Sequence, residues 1–189
     1  KTLGIMYSKT HERNKESNTD DAEMIAQERD FITISYDLSE HQLEDNTAGC
    51  LEGLKELVKK GIDAFFIPSL DCFKAEKSGG SSNNRKLMSF LRAKKIPTFA
   101  RRGTDYVKSG AMMGFSEDFD TQGKTLADKL FSVLMRGEKP RSLSMIDNSP
   151  PKIVLNLAVA QQIGFKLSFD ILGASDEIYQ EIEGVGEVK

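Results

Sequence analysis

Polar and charged side chains stand directly after several segments that resemble β-strands. Those segments are short and apolar, as in TLGIMY at residues 2–7. In an open parallel α/β sheet, ligands bind beyond the carboxyl ends of the strands. The residues that this rule places at a binding site are Ser8, Ser69, Asp71, Arg101, Arg102 and Ser116. Arginine can hold a carboxylate through paired hydrogen bonds and aspartate can hold an ammonium group, so these residues suit a small charged solute, although polar residues are also ordinary in loops.

Residue patterns typical of enzymes are missing from the sequence. His11 and His41 are the only histidines, and neither has partners at metal-ligand spacing. There is no Gly-x-Ser-x-Gly motif and no Cys–His arrangement. The Gly123-Lys124-Thr125 tripeptide resembles the end of a phosphate-binding loop, but Asp118 stands where that loop needs a glycine. Gly123 is expected to allow close packing on a helix instead. The sequence therefore predicts a protein that is not an enzyme and carries no cofactor or metal.

The charge of the chain bears on whether it binds nucleic acid. The net charge is −3 and the basic residues are scattered, which disfavours a nucleic-acid surface.

Cys50 and Cys72 are the only cysteines. They can form one disulfide or stand as two small, half-buried thiols, and the second interpretation is favoured because nothing in the spacing demands a bond. The sequence contains no apolar run long enough to cross a bilayer.

Strand-like and helix-like segments alternate along the first hundred residues. Strands are expected at Thr2–Tyr7, Phe31–Leu38, Asp63–Ser69 and Thr98–Ala100, and helices near Asp20–Arg29, over residues 47–60 and at Asn84–Lys94. The middle helix is the clearest, because Leu51, Leu54, Leu57 and Val58 form one apolar stripe. This alternation indicates βαβ units. The predicted fold class is α/β, with three α/β/α layers around a mostly parallel sheet.

The second half of the chain contains one long amphipathic helix. Ala111–Phe115 reads as a strand, after which Ser116 is expected to cap the helix and Gly137 to end it. The apolar stripe of this helix consists of Phe119, Leu126, Leu130, Val133 and Leu134. A last strand is expected at Ile153–Leu155, and Asn156 caps a short helix that Gly164 closes.

Six short segments of the chain resemble motifs of a known family. In chain order they are residues 61–69 (GIDAFFIPS), 93–100 (AKKIPTFA), 107–111 (VKSGA), 131–140 (FSVLMRGEKP), 153–157 with 162–164 (IVLNL and QIG) and 174–178 (ASDEI). They are similar to segments of the substrate-binding proteins of ABC transporters, in the family that includes tryptophan- and aromatic-amino-acid-binding members. Each motif alone is weak, but their order and spacing hold along nearly the whole chain.

The resemblance implies two α/β lobes that close on a solute by a hinge motion. This chain would begin near the start of the second, periplasmic-binding-protein-like lobe. Residues 1–110 and 141–189 would form that lobe, and residues 111–140 would be a strand and helix that cross to the first lobe. In the chain alone, the apolar stripe of the 117–136 helix would need another cover, so a homodimer through this helix is expected.

The resemblance also implies that Ser8, Asp71, Arg102 and Ser116 face the cleft. The residues around these positions depart from the family pattern. The family often has an acidic segment after its fourth strand, where this chain has Arg101-Arg102-Gly103. The usual Asn-Pro-Ser turn after the first strand is replaced by Ser8-Lys9-Thr10. Because arginine replaces an acid, a solute with an anionic group is expected.

The leading functional hypothesis is an extracytoplasmic solute-binding component of an ABC importer, or its C-terminal lobe. It would pass a small solute, such as an amino acid, to an ABC permease. It would be periplasmic or anchored outside the membrane, with the signal segment lying outside this chain, which opens on Lys1. The alternative is a ligand-sensing extracytoplasmic domain of a signalling protein, which a transmembrane helix and a kinase or cyclase domain in the flanking sequence would reveal.

Overall fold

One sheet organises the computed structural model, which describes residues 1–9, 20–74, 82–101, 103–144 and 151–183. Within these ranges seven strands lie in the order β2-β1-β3-β4-β5-β6-β7. The strands are β1 (Thr2–Tyr7), β2 (Ile32–Asp37), β3 (Ala64–Ile67), β4 (Thr98–Ala100), β5 (Met113–Ser116), β6 (Lys152–Asn156) and β7 (Glu177–Tyr179). Neighbouring strands are parallel except β5 and β6, which are antiparallel. The predicted mostly parallel α/β sheet is confirmed.

Helices follow most of the strands. They are α1 (Asp21–Glu28), α2 (Thr47–Lys59), α3 (Ser82–Ala93), α4 (Gly103–Lys108), α5 (Phe119–Arg136), α6 (Leu157–Ile163) and α7 (Phe169–Gly173), with short 3₁₀ turns at Asp71–Phe73 and Pro140–Ser142. The sequence did not predict α4, α7 or β7. These elements have only six, five and three residues, which is too short to show a hydrophobic period.

Side chains pack on both faces of the sheet, because neighbouring residues of a strand point in opposite directions. In β4, Ala100 joins the larger core, where side chains from β1 and β3 meet α2 and α3. The adjacent Phe99 joins a smaller cluster on the other face, against Val159 and Ile163 of α6. Helices therefore cover both faces, as the predicted three-layer arrangement requires.

Several helix ends follow local capping chemistry, and one of the predicted caps is misplaced. The Asn46 side chain accepts a hydrogen bond from the Gly49 amide at 2.9 Å and caps α2. Gly137 and Gly164 end α5 and α6 with φ of 69° and 72°, a left-handed conformation that glycine adopts freely. The predicted cap of α5 at Ser116 is wrong, since Ser116 pairs with Lys152 as the last residue of β5. Asp118 caps α5 instead, accepting from the Thr121 amide at 3.3 Å.

Helix α5 carries its apolar stripe without packing it against the sheet. None of its 18 residues is buried, and Phe119 and Leu134 are 70% and 74% exposed. The expectation that Gly123 allows close packing is wrong, because a Cβ atom there would meet nothing within 4 Å. The strand of the 111–140 segment thus lies in the sheet, whereas its helix exposes an apolar surface.

Candidate binding cleft

The carboxyl ends of β1, β3, β4 and β5 meet at one edge of the sheet, because these strands are parallel. Five of the six sequence-predicted site residues lie at or after these ends, and they are Ser8, Ser69, Asp71, Arg101 and Ser116, the last residue of β5. Arg102 lies outside the described residues. The structure brings Arg101 and Ser116 into one cavity and places Ser8, at the end of β1, in a separate cluster.

A cavity of about 610 Å³ opens where β4 and β5 end. Its charged lining residues are Lys74, Arg101, Asp105 and Glu117, and its aromatic ones are Tyr106, Phe115 and Phe119. The Thr104 hydroxyl donates to the Ser116 hydroxyl at 3.3 Å, which joins the start of α4 to the end of β5. Both signs of charge and several aromatic rings therefore surround a space large enough for a small organic molecule.

Close backbone packing forms one wall of this cavity. A Cβ atom on Gly103 would lie 2.7 Å from the carbonyl oxygen of Phe115, so only glycine lets α4 begin against β5. Sequence reasoning missed Thr104, because it did not predict α4. The glycine after Arg101-Arg102 was the one local signal of a tight turn there.

Lys74 is a cavity residue that the sequence analysis also missed. Its ammonium group is paired with the Asp71 carboxylate, three residues earlier in the chain. The hydrogen bond to Asp71 and the attraction of that charge raise the pKa of Lys74 above its ordinary value. Lys74 is thus fully protonated at neutral pH, and Asp71 orients it from the end of β3.

Ser8 lies in a second polar cluster, where β1 and β2 end. Its hydroxyl is 2.9 Å from that of Ser39, and Lys9 lies 3.2 Å from the buried Asp37 carboxylate and also pairs with Glu40. Burial acts to raise the pKa of Asp37, but hydrogen bonds from the Ser39 amide and from Lys9 outweigh it and lower that pKa. Hydrogen bonds to Glu40 and Asp37 raise the pKa of Lys9 to about 12. Lys9 thus pairs with two carboxylates, and the cluster ties the two strand ends together.

Cys50 and Cys72 form a disulfide, so the interpretation as two separate thiols is wrong. The bond joins the first turn of α2 to the 3₁₀ turn after β3, and both cysteines are buried. Asp45 lies beside them, and the three residues bring potential metal-ligand atoms within 4.8 Å of one another. The two sulfurs are bonded to each other, and the Asp45 oxygens accept backbone amides. These residues therefore hold the 3₁₀ turn after β3 against α2 and the connection before it, rather than form a metal centre.

The segments that lead to and from α5 run side by side. Strands β5 and β6 are antiparallel, with Ser116 opposite Lys152, and the Lys152 ammonium lies 3.3 Å from the Asp118 carboxylate. Hydrogen bonds from the Thr121 hydroxyl and amide, and then from Lys152, lower the pKa of Asp118. One carboxylate therefore caps α5 and also holds the start of β6 against it.

An open cavity at the carboxyl edge of a parallel α/β sheet defines a class of proteins that bind small ligands. The sequence matches the ABC transporter substrate binding protein family over residues 58–179, which is more than half of the chain. The chain belongs to this family of ABC transporter substrate-binding proteins. The resemblance on which the sequence analysis depended is confirmed.

Solved structures share the fold. A substrate-binding protein with adhesive properties from Clostridium difficile, in its ligand-free, open form, has a TM-score of 0.76 and 17% identity over 96% of this chain. The ABC domain from Streptococcus pneumonia in complex with L-Trp has a TM-score of 0.63 and 18% identity over 94% of this chain. A conserved domain protein from Vibrio cholerae has a TM-score of 0.62 and 17% identity over 94% of this chain. No curated protein matches the sequence.

The chain spans about half of each of these solved proteins, since it covers 55%, 56% and 54% of their lengths. Among the helices that the structure describes, none has the length and apolar character needed to cross a membrane.

Proposed function

We propose that this chain is the second lobe of a solute-binding protein of an ABC importer and that its cleft binds a small solute with an anionic group. The observation that carries the proposal is the cavity at the ends of β4 and β5, where Arg101 and Lys74 both line the wall. A carboxylate or similar anion would meet two cations there, and arginine offers paired donors to it.

The remaining cavity residues favour an amino acid as the solute. Asp105 and Glu117 offer carboxylates for an ammonium group, and Tyr106, Phe115 and Phe119 offer aromatic surface for a side chain. One solved protein with this fold is a complex with L-Trp, which supports the same class of ligand for this chain. Ser69 and Asp71 remain proposed contacts from the end of β3, and Ser8 a proposed contact from the end of β1.

The proposed partner is an ABC permease, and the proposed location is outside the cytoplasm. The Cys50–Cys72 disulfide supports this location, because such bonds persist in oxidising compartments such as the periplasm and the extracellular space. Binding a solute and releasing it to the permease require no chemical step in the cleft, so the proposed role is not that of an enzyme.

The exposed stripe of α5 is the proposed contact surface with the rest of the assembly. In a two-lobed protein, residues 111–140 would carry this helix across to the first lobe, with residues 1–110 and 141–189 forming the second. In the chain by itself, the same stripe would form a homodimer, because Leu130 and Leu134 are 52% and 74% exposed.

Native mass spectrometry can test whether the stripe of α5 forms a homodimer. Leu130→Glu should convert a dimer to a monomer in native mass spectrometry, because a carboxylate in an apolar contact loses hydration without gaining a partner. Lys124→Glu is the control, since it places the same charge away from the stripe. A wild-type chain that is monomeric at micromolar concentration would contradict the homodimer.

The solute proposal is tested by titration calorimetry with the twenty common L-amino acids as probes. Arg101→Met should weaken binding of the best probe by about tenfold or more, because a hydrogen bond to a charged group contributes about 1.5–3 kcal/mol. Arg141→Met is a matched control, since Arg141 is an exposed arginine outside the cavity lining. Equal affinities of Arg101→Met and the wild-type chain would refute the role of Arg101.

A further inference from the structure

Residues 70–74, here called the rim segment, connect the end of β3 to the cleft. They include the 3₁₀ turn Asp71–Phe73 and end with Lys74, which lines the cavity. Leu70 and Phe73 are fully buried, and the Phe73 ring lies 5.6 Å from that of Phe65 in the larger core. The charged side chains of the rim segment thus project from a backbone with two buried anchors.

Asp45 provides a further anchor for the rim segment from the connection before α2. Its Oδ2 accepts the Asp71 amide at 2.8 Å, and its Oδ1 accepts the Cys72 amide at 3.0 Å. The first amides of a helical turn have no partner within the turn, so a carboxylate that accepts two of them fixes where the turn begins. Asp45 does this from 26 positions earlier in the chain.

The disulfide holds the same turn at its middle residue. Cys72 is bonded to Cys50 of α2, and the two residues are 3% and 0% exposed. Because both cysteines are buried, we expect the bond to become accessible to a reductant when the rim segment moves away from α2. The rate at which the bond is reduced under native conditions therefore reports how often the rim segment opens.

We propose that Asp45 is a positioning residue of the cleft, which holds the rim segment in its binding conformation before a solute arrives. This inference rests on the proposed function, because it assigns Lys74 and Asp71 to solute recognition. A segment that is already ordered loses little conformational entropy when it binds, so its contacts translate more fully into affinity. Asp45 does not line the cavity and acts through the backbone of Asp71 and Cys72.

The reduction of the disulfide by a dithiol gives the first measurement. One thiolate of the dithiol attacks a cysteine sulfur, and its second thiol resolves the mixed disulfide. The reductant becomes a cyclic disulfide, and Cys50 and Cys72 gain two electrons and two protons as thiols. The rate is followed by alkylating the free thiols and measuring the added mass of the chain by mass spectrometry, with no solute present.

Asp45→Ala should increase this rate, and the hydrogen exchange of the Asp71 and Cys72 amides, by about tenfold or more, since two hydrogen bonds to a charged acceptor are lost. Asp45→Asn keeps one acceptor oxygen and should give an intermediate rate. The asparagine variant also tests the positioning role of Asp45 if the alanine variant does not fold. Asp176→Ala is the matched control, because Asp176 also accepts a backbone amide, that of Ile153 at 2.7 Å, away from the rim segment.

Equal reduction rates for Asp45→Ala and the wild-type chain would overturn the positioning role, as would an equal increase in Asp176→Ala. The second measurement is calorimetry with the best L-amino acid probe, where Asp45→Ala should lose affinity and Asp176→Ala should not. Unchanged affinity in Asp45→Ala would overturn the role even if the rates change. If the wild-type chain binds no probe, the proposed function fails, while the reduction and exchange rates still decide whether Asp45 holds the rim segment.

Discussion

Asn156 is the buried polar residue whose replacement should be most informative about the stability of this fold. It is 0% exposed at the junction of β6 and α6. Its Oδ1 accepts the Val159 amide at 3.0 Å, and its Nδ2 donates to the carbonyls of Val107 at 3.0 Å and Glu181 at 2.9 Å. One amide therefore caps α6 and fastens both α4 and the segment after β7.

Asn156→Asp keeps the size of the side chain and the capping oxygen, but replaces two donors by an oxygen that faces two carbonyls. Losing the two hydrogen bonds should cost about 1 kcal/mol each. Burying a charge without a partner adds to this, for a total loss of about 3–5 kcal/mol in the free energy of unfolding at pH 7. Asn156→Ala loses the cap and the same two bonds, about 3 kcal/mol in all, without burying a charge.

The pH dependence separates the two variants. Burial and the two carbonyl oxygens should raise the pKa of the introduced carboxyl in the folded state above its unfolded value of about 3.9. The folded state then binds more protons than the unfolded state, so the stability of Asn156→Asp rises as pH falls through the folded-state pKa. Asn156→Ala has no such group and should follow the pH profile of the wild-type chain.

Urea denaturation followed by circular dichroism at pH 7 and pH 5 gives the loss in the free energy of unfolding and its dependence on pH. Asn46→Ala serves as the control, because Asn46 is an exposed cap whose loss should cost about 1 kcal/mol. The reasoning is refuted if Asn156→Asp is as stable as the wild-type chain at pH 7. It is also refuted if the difference between the aspartate and alanine variants does not change with pH.

Two further perturbations follow from the disulfide and from the cluster at the ends of β1 and β2. The Cys50→Ala/Cys72→Ala double variant should lower the free energy of unfolding by about 3 kcal/mol in urea denaturation, because a bond across a separation of 22 residues restricts the unfolded chain; an unchanged midpoint would contradict this. Asp37 has a lowered pKa in the folded state, so its contribution is present above its ordinary pKa of 3.8 and is lost as pH falls through the folded-state value. Asp37→Asn should therefore flatten the acid side of the stability profile, and an unaltered slope below pH 4 would show that Lys9 and the Ser39 amide do not hold this carboxylate.

Elements that rest on local chemistry were predicted from the sequence. The bounds of β1 and β4 agree with the structure to the residue, because their apolar runs end at polar residues or begin after proline. The cap of α6 at Asn156 and the glycine ends of α5 and α6 also agree, since each depends on residues within one turn. The cap of α5 was misplaced because pairing between Ser116 and Lys152, 36 positions apart in the chain, extends β5.

The candidate cleft was predicted only in outline. The topology of parallel sheets placed Arg101 and Ser116 at one edge, and the structure brings them into the same cavity. Lys74 and Thr104 were missed, since each reaches the cavity through a short turn or helix without a periodic pattern. Whether a polar residue after a strand faces a cleft depends on neighbours that are distant in the chain.

The sequence by itself determined the α/β fold, the positions of its main strands along the chain and the amphipathic character of α5, because each depends on local patterns of apolar and capping residues. The family was indicated by its resemblance to six short motifs in order along the chain. Only the tertiary structure decided that Cys50 and Cys72 are bonded, that Asp45 accepts the amides of the rim segment, and that the stripe of α5 is uncovered. The physical reason is distance along the chain. A disulfide, a carboxylate that accepts amides 26 and 27 positions later, and the cover of a helix all depend on where remote segments meet.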